Sequence, residues 1–318
     1  MLQLIRTNKL PFLGLAIVLP ALLFYIGKGA PRAIEVVTWK GVMTDTVQSI
    51  ALEWWGWFYQ ALIVAITVIY FQLLVHQESL FRKKNWVFLC VALLFGFKVI
   101  PLDSISVMVL SMPLLVFIYH QLLIISRKDR NAKEFFNLAF ACGVGFLIDG
   151  SFIILVLLLS VVLAQFSGFN LRKWLLYCTG FLIPIFWSLS LDWLVHHDFI
   201  WMKAWDFRLY NSFEWVLFPL LFGIGVFLFV GASLLNLQTK FSRLIVFKRN
   251  FHQTNFLIFI WSLLVFLLRA KFDYWAFGYL VLPVAILLSD WFITMKKVWV
   301  YETIFALFML LFVFEALF

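Results

Sequence analysis

Apolar runs long enough to cross a lipid bilayer recur along the whole chain, separated by short stretches that carry the charged residues. Of the 318 residues, 64% are hydrophobic and only 13% are charged, whereas soluble domains carry roughly 25% charged residues. A water-soluble fold of this length needs more charge than that to cover its surface. The chain is therefore predicted to be an all-α integral membrane protein, a single polytopic domain over residues 1–318.

About eleven spans are predicted, each where an apolar run of roughly 15 to 25 residues ends at charge, glycine, proline or interfacial tryptophan and tyrosine. They are Pro11–Gly27, Trp57–Val75, Trp86–Ile100, Ile105–Ile125, Phe135–Ile148, Phe152–Phe166, Trp174–Val195, Trp215–Leu237, Asn255–Leu268, Trp275–Met295 and Val298–Phe318.

Lysine and arginine predict the orientation, because cytoplasmic loops of membrane proteins are the basic ones. With eleven spans, 17 of the 25 basic residues lie on one side, and every loop on that side carries at least two. The pattern predicts an N-in, C-out protein of a bacterial inner (cytoplasmic) membrane. The net charge of +9 then reflects topology, and nucleic acid is not an expected partner.

Residues 135–166 are apolar except for a short interruption at Asp149, Gly150 and Ser151. One long helix would invert every later loop, so the basic pattern favours a hairpin that turns at Asp149. Each arm is then only about 22 Å long. Such arms predict a turn recessed below the outer surface and shielded by protein, since exposed turn backbone is not tolerated in lipid.

Two outer loops, residues 28–56 and 196–214, are long enough to hold structure. Within them, Thr44–Trp55 and Asp198–Tyr210 place apolar residues at helical spacing, with polar residues on the other side. Each segment predicts an interfacial helix lying on the outer leaflet.

Acidic residues gather on the outer side, which makes that side the place to look for general bases. Asp149 is the most deeply embedded of them, and an intramembrane carboxylate is a functional hypothesis by default. Before Gly-Ser, the same residue is also suited to cap the second hairpin arm. A binding role for Asp149 and a capping role both stay open.

Arg269 and Lys271 lie in a tight outer turn, and Lys98 precedes another. These cations suit the phosphate of an anionic or lipid-linked substrate, although snorkelling from a helix end explains them equally well. Asp192 and His196 have the spacing of a metal pair, but no third ligand follows, and no metal site is predicted. The three cysteines form no CxxC pair, and no cofactor is indicated.

Two stretches carry a family resemblance: Tyr70 to Pro101, and Phe136 to Pro184 with a basic-aromatic loop, Gly180 and Pro184. They resemble an uncharacterised domain-of-unknown-function family of polytopic inner-membrane proteins from gram-negative bacteria. That resemblance implies the fold class and no catalytic residues.

The layout is similar, more loosely, to the C-type (GT-C) glycosyltransferases, which have many spans and a catalytic acid in the first outer loop. By position, this resemblance implies Asp45 or Glu35 as the catalytic acid. The paired acidic motif usual in that loop is not present in this sequence.

The sequence thus leads to two hypotheses. The first is an inner-membrane protein of envelope biogenesis with a GT-C-like bundle, which handles a polyprenyl-phosphate-linked substrate at the outer leaflet. The second is a non-catalytic membrane subunit of an envelope assembly or secretion complex, with membrane proteins as partners. Whether the chain is an enzyme stays open, and membrane lipids are expected partners in both cases.

Overall fold

The computed structural model describes residues 53–78, 80–81, 87–98, 107–127, 132–167, 170–196, 217–268, 278–295 and 298–317. Within these ranges the chain forms α-helices joined by short turns, and no strand occurs there. The helices are α1 (Glu53–Gln77), α2 (Val87–Lys98), α3 (Val107–Ser126), α4 (Ala132–Ile148), α5 (Phe152–Ser167), α6 (Leu171–His196), α7 (Leu217–Lys240), α8 (Val246–Leu268), α9 (Val281–Thr294) and α10 (Val298–Leu317).

Every predicted span from Trp57 onward overlaps one of these helices, so the all-helical prediction is confirmed for the described residues. Among the described residues, three helices, α1, α3 and α6, contain segments long and apolar enough to cross a membrane. Shorter apolar segments lie in α2, α5, α7 and α9. The count of eleven spans and the N-in, C-out orientation remain predictions.

The predicted interfacial helices fall mostly outside the described residues. Asp198–Tyr210 lies outside them entirely, as does the predicted first span, Pro11–Gly27. The end of Thr44–Trp55 needs a correction, because residues from Glu53 onward belong to α1. Helix α1 therefore begins four residues before the predicted start of the span at Trp57.

Helix α9 lies at the centre of the bundle and packs against α2, α7 and α8. All of its residues from Val281 to Ser289 are buried, as expected of a helix that is apolar on every side. Around it, α1 packs on α2 and α3, α4 lies between α3 and α6, and α8 contacts α3 and α5. Helix α10 packs on α7.

Helices α4 and α6 make the most extensive contact in the described structure, and glycines allow it. A Cβ atom on Gly143 of α4 would lie 2.6 Å from the Phe181 carbonyl oxygen and 3.1 Å from Pro184 Cγ. A Cβ on Gly180 of α6 would lie 2.6 Å from the Phe136 carbonyl oxygen. Small residues bring helix backbones together in this way in membrane proteins.

Hydrogen bonds tie α3, α8 and α9 together within the core. The Tyr119 hydroxyl donates to Asn255 Oδ1 at 2.7 Å, and Asn255 Nδ2 donates to the Pro283 carbonyl at 3.3 Å. Helix α7 is joined to α9 in the same manner, since Ser233 Oγ donates to the Leu287 carbonyl at 2.6 Å.

The two ends of the bundle differ in charge. The end where α4 turns into α5 is called the hairpin end below, and the opposite end is called the basic end. At the basic end Arg127 pairs with Glu78 and lies 5.2 Å from the centre of the Phe247 ring, while Lys173 lies 5.3 Å from that of Phe135.

Candidate functional site

The turn at Asp149 joins α4 to α5, at the position where the sequence predicts a hairpin. The Asp149 amide donates to the Gly145 carbonyl at 2.7 Å, which closes the last turn of α4. Its Oδ1 atom accepts a hydrogen bond from the Ser151 amide at 2.9 Å. A side-chain oxygen on a free amide before a helix is capping geometry, so the capping interpretation of Asp149 is confirmed.

The second carboxyl oxygen of Asp149 reaches a residue 130 positions away. The hydroxyl of Tyr279, immediately before α9, donates to Asp149 Oδ2 at 2.7 Å. Both residues are fully buried. A buried polar group needs such partners, because leaving it unpaired costs about 1 to 3 kcal/mol.

Helix α8 supplies the other contacts of this turn. The Trp261 Nε1 group donates to the Ser151 carbonyl at 3.0 Å, and Ser262 Oγ lies 3.0 Å from the Tyr279 carbonyl oxygen. Together these contacts join the α4–α5 turn, α8 and the start of α9. We call this set the hairpin latch: Asp149, Ser151, Trp261, Ser262 and Tyr279.

Aromatic rings enclose the hairpin latch. The ring centroids of Trp261 and Tyr279 lie 4.8 Å apart, and Phe152 meets both edge-on, at 5.3 Å from Trp261 and 5.9 Å from Tyr279. Gly145 makes room for Phe152, since a Cβ there would collide with its ring. The apolar surroundings strengthen the hydrogen bonds inside the latch.

The hairpin ends well below the end of α6. Gly143 of α4 lies beside Pro184 of α6, and Gly180 of α6 lies beside the earlier residue Phe136 of α4. The two helices therefore run in the same direction. From that contact α4 continues only to Ile148, whereas α6 continues to His196. At 1.5 Å per residue, α6 extends about 10 Å beyond the turn.

Polar residues continue the buried face of α6 at the level of the turn and beyond it. Buried positions on α6 include Tyr177, Gly180, Pro184, Ser188 and Asp192, spaced three or four residues apart. Ser188 and Asp192 are 5% and 0% exposed, and we call this pair the α6 polar pair. Among the described residues, the Ser188 hydroxyl has no hydrogen-bond partner, and neither has the Ser151 hydroxyl.

The remaining predicted site residues are not brought together by the described structure. Asp45, Glu35, Arg269 and Lys271 lie outside the described residues. Lys98 is the last residue of α2. In the described part of the chain, no three His, Cys, Asp or Glu side chains are grouped as metal ligands.

No protein-family model, curated protein or solved structure matches this chain. The resemblances to the uncharacterised inner-membrane family and to the GT-C layout therefore remain predictions.

Sequence reasoning found Asp149 but missed its partners. Trp261 and Ser262 lie inside an apolar run, where a buried tryptophan and serine have no distinguishing pattern. Tyr279 lies in an aromatic-rich turn typical of a membrane interface. Only the packing of α5 against α8, and of α8 against α9, brings these side chains to the turn.

Proposed function

We propose that this chain is an inner-membrane protein of envelope biogenesis with a GT-C-like bundle, which handles a polyprenyl-phosphate-linked substrate at the outer leaflet. The observation that carries the proposal is a difference in height at the hairpin end, where α6 extends about 10 Å beyond the α4–α5 turn; we call this step in height the recess. Such a recess gives a polar headgroup a place beside the bundle while its apolar tail stays in lipid.

The charges at the two ends of the bundle support an outward-facing recess. Arg127, Lys133 and Lys173 lie at the basic end, as do Lys248 and Arg249 at the start of α8. The positive-inside rule assigns such an end to the cytoplasm. The hairpin end then faces the outer leaflet, as the loop charges predict.

The proposal gives different roles to the candidate residues. Asp149, with hydrogen bonds on both carboxyl oxygens, holds the floor of the recess rather than contacting the reacting atoms. Asp45 or Glu35 is the proposed base. Arg269 and Lys271 are the proposed phosphate ligands, because paired cations suit a phosphate group.

Lipid binding tests the proposal directly. Native mass spectrometry of the purified protein in nanodiscs compares polyprenyl phosphate with phosphatidylglycerol, which carries the same kind of charge on an ordinary lipid. We expect polyprenyl phosphate to bind more tightly, and the double variant Arg269→Gln/Lys271→Gln to lose that preference. The matched control is Lys248→Gln/Arg249→Gln at the basic end, which should keep it.

Equal binding of the two lipids would contradict the proposed function. Catalysis is tested separately by complementation of a deletion strain with Asp45→Asn and Glu35→Gln. Loss of complementation in one of them supports an enzyme.

The non-catalytic subunit is the second candidate, and the hairpin latch favours it. The two Asp149 oxygens accept hydrogen bonds from within the chain, an arrangement suited to holding a structure. Full complementation by both acid variants, together with loss of complementation in Tyr279→Phe, would favour this candidate over the enzyme.

A further inference from the structure

A buried histidine lies near the basic end of the bundle, on the side of α8 that packs against α9. His252 is three residues before Asn255, whose side chain donates to the Pro283 carbonyl of α9, and residues three apart share a helix face. His252 is only 3% exposed, and its Nδ1 atom is buried without a hydrogen-bond partner among the described residues. An imidazole in such a place is favoured in its neutral form, because charging it would bury a cation.

Two charged side chains lie close to this histidine, one on each helix. The hydrogen bonds between α8 and α9 show that the two helices are antiparallel. Lys248 is seven residues before Asn255 on α8, and the half-buried Asp290 is seven residues after Pro283 on α9. Both therefore lie about 10 Å from the bond between Asn255 and Pro283, towards the basic end. His252 lies between that bond and the two charges.

Helix α8 also contacts α3 and α5, whose titratable groups are few. Helix α5 has none, and those of α3 are Tyr119 and His120. The Tyr119 hydroxyl is bonded to Asn255, and His120 is half-buried. Arg127, which follows α3, is paired with Glu78. The charges that act most strongly on His252 belong to α8 and α9.

Burial has a larger effect on the protonation of His252 than its charged neighbours have. His252 precedes the predicted span Asn255–Leu268. Burial lowers the pKa of His252 below its ordinary value, the Asp290 carboxylate opposes that change, and the Lys248 ammonium group adds to it. When the helix opens, the imidazole returns to water and to a pKa of about 6.5. The open form then takes up a proton that the packed form does not bind, so packing weakens as the pH falls through that value.

We propose that His252, neutral and packed on the α9 side of α8, is a proton-sensitive contact that releases the first turns of α8 when the pH falls. Asp290 limits the release, because a carboxylate stabilises a nearby imidazolium. In the orientation proposed above the basic end faces the cytoplasm, so the contact responds to acidification on that side. The inference concerns the end of the bundle opposite the recess and requires neither a substrate nor catalysis.

Hydrogen–deuterium exchange of the full-length protein in nanodiscs measures the release directly. Exchange is compared at about pH 8 and about pH 5.5, on either side of the histidine range, after correction for the intrinsic rate at each pH. We expect exchange in residues 246–255 to become faster at the lower pH, by up to about tenfold per pH unit, the limit for uptake of one proton. Residues 138–145 of α4 carry no group that titrates in this range, and their exchange should not change.

Three variants assign the effect to the histidine. His252→Gln should abolish the acceleration at low pH. Asp290→Asn should enlarge it, because the imidazolium loses its carboxylate. His120→Gln, at a half-buried position on α3, is the matched control and should behave as the unmodified protein does.

The proposal is wrong if the unmodified protein shows no acceleration, or if His252→Gln keeps it. Melting temperatures at the higher pH verify that the variants fold. If His252→Gln does not fold, Asp290→Asn decides, and an acceleration equal to that of the unmodified protein would overturn the proposal. Each of these outcomes leaves the lipid-binding test of the proposed function unaffected.

Discussion

The hairpin latch and the α6 polar pair lie at the same end of the bundle, yet their hydrogen bonding differs. In the latch, Asp149 has a donor at each carboxyl oxygen, and Trp261 donates to the turn backbone. In the pair, the Ser188 hydroxyl is buried without a partner among the described residues. The latch therefore has the geometry of a structural support.

The difference shows why burial alone is a poor guide to function in a membrane protein. Asp149 and Asp192 are both fully buried, and both are expensive to place in lipid. The informative difference lies between individual groups: both Asp149 oxygens have donors, whereas the hydroxyls of Ser151 and Ser188 have no hydrogen-bond partner among the described residues. The variants below compare how much each region contributes to stability, measured as the free energy of unfolding in mixed detergent micelles.

The largest effect is expected for Asp149→Ala. The substitution leaves the Ser151 amide and the Tyr279 hydroxyl without their acceptor, and two such losses lower the free energy of unfolding by about 3 kcal/mol. A loss below about 1 kcal/mol would show that the latch does not support the fold.

The second largest loss of stability is expected at the contact between α4 and α6. Gly143→Ala places a methyl group against the Phe181 carbonyl, which should lower stability by about 2 kcal/mol. Gly231→Ala on α7 is the matched control, since nothing lies within 4 Å of its Cβ position, and it should gain up to about 1 kcal/mol. Equal results for both glycines would rule out close α4–α6 packing.

Removing one hydroxyl from the latch should have a smaller effect. Tyr279→Phe keeps the ring contacts with Trp261 and Phe152 but deletes the donor to Asp149 Oδ2, at a cost of about 1.5 kcal/mol. Tyr70→Phe on the exposed face of α1 should change stability by less than about 0.5 kcal/mol. Equal changes in the free energy of unfolding for Tyr279→Phe and Tyr70→Phe would show that the hydrogen bond from Tyr279 to Asp149 does not support the fold.

The smallest effect is expected in the α6 polar pair. Ser188→Ala should be neutral within about 0.5 kcal/mol, or slightly stabilising, because it removes a buried hydroxyl that has no partner. Ser233→Ala, which loses a 2.6 Å bond to the Leu287 carbonyl, should cost about 0.6 to 1 kcal/mol. A larger loss in Ser188→Ala than in Ser233→Ala would mean that Ser188 supports the fold.

Apolar run length and helix-breaking residues were enough to locate the described helices but not their ends, since α8 begins at Val246, nine residues before the predicted start at Asn255. The hairpin at Asp149 followed from an interruption of only three residues and from the basic loops on either side. The start of α1 was misplaced because helix ends are not fixed by hydrophobicity.

The candidate site was predicted less well, and for a physical reason. Side-chain type identified Asp149, but its partner Tyr279 depends on how α5, α8 and α9 pack. Ser188 carried no signal, since a serine within an apolar run is usually bonded to its own helix, as Ser160 and Thr179 are. The proposed acids and cations of the outer loops remain predictions.

The short hairpin also has a consequence for the surrounding lipid. Arms of 17 and 16 residues are about 25 Å long, against about 30 Å for the hydrocarbon core of a bilayer. Helix α5 exposes Leu157 and Val161, and in the membrane placement proposed above the difference in length would be relieved by local thinning of the bilayer. A lipid beside α5 would then lie in the thinned part of the bilayer.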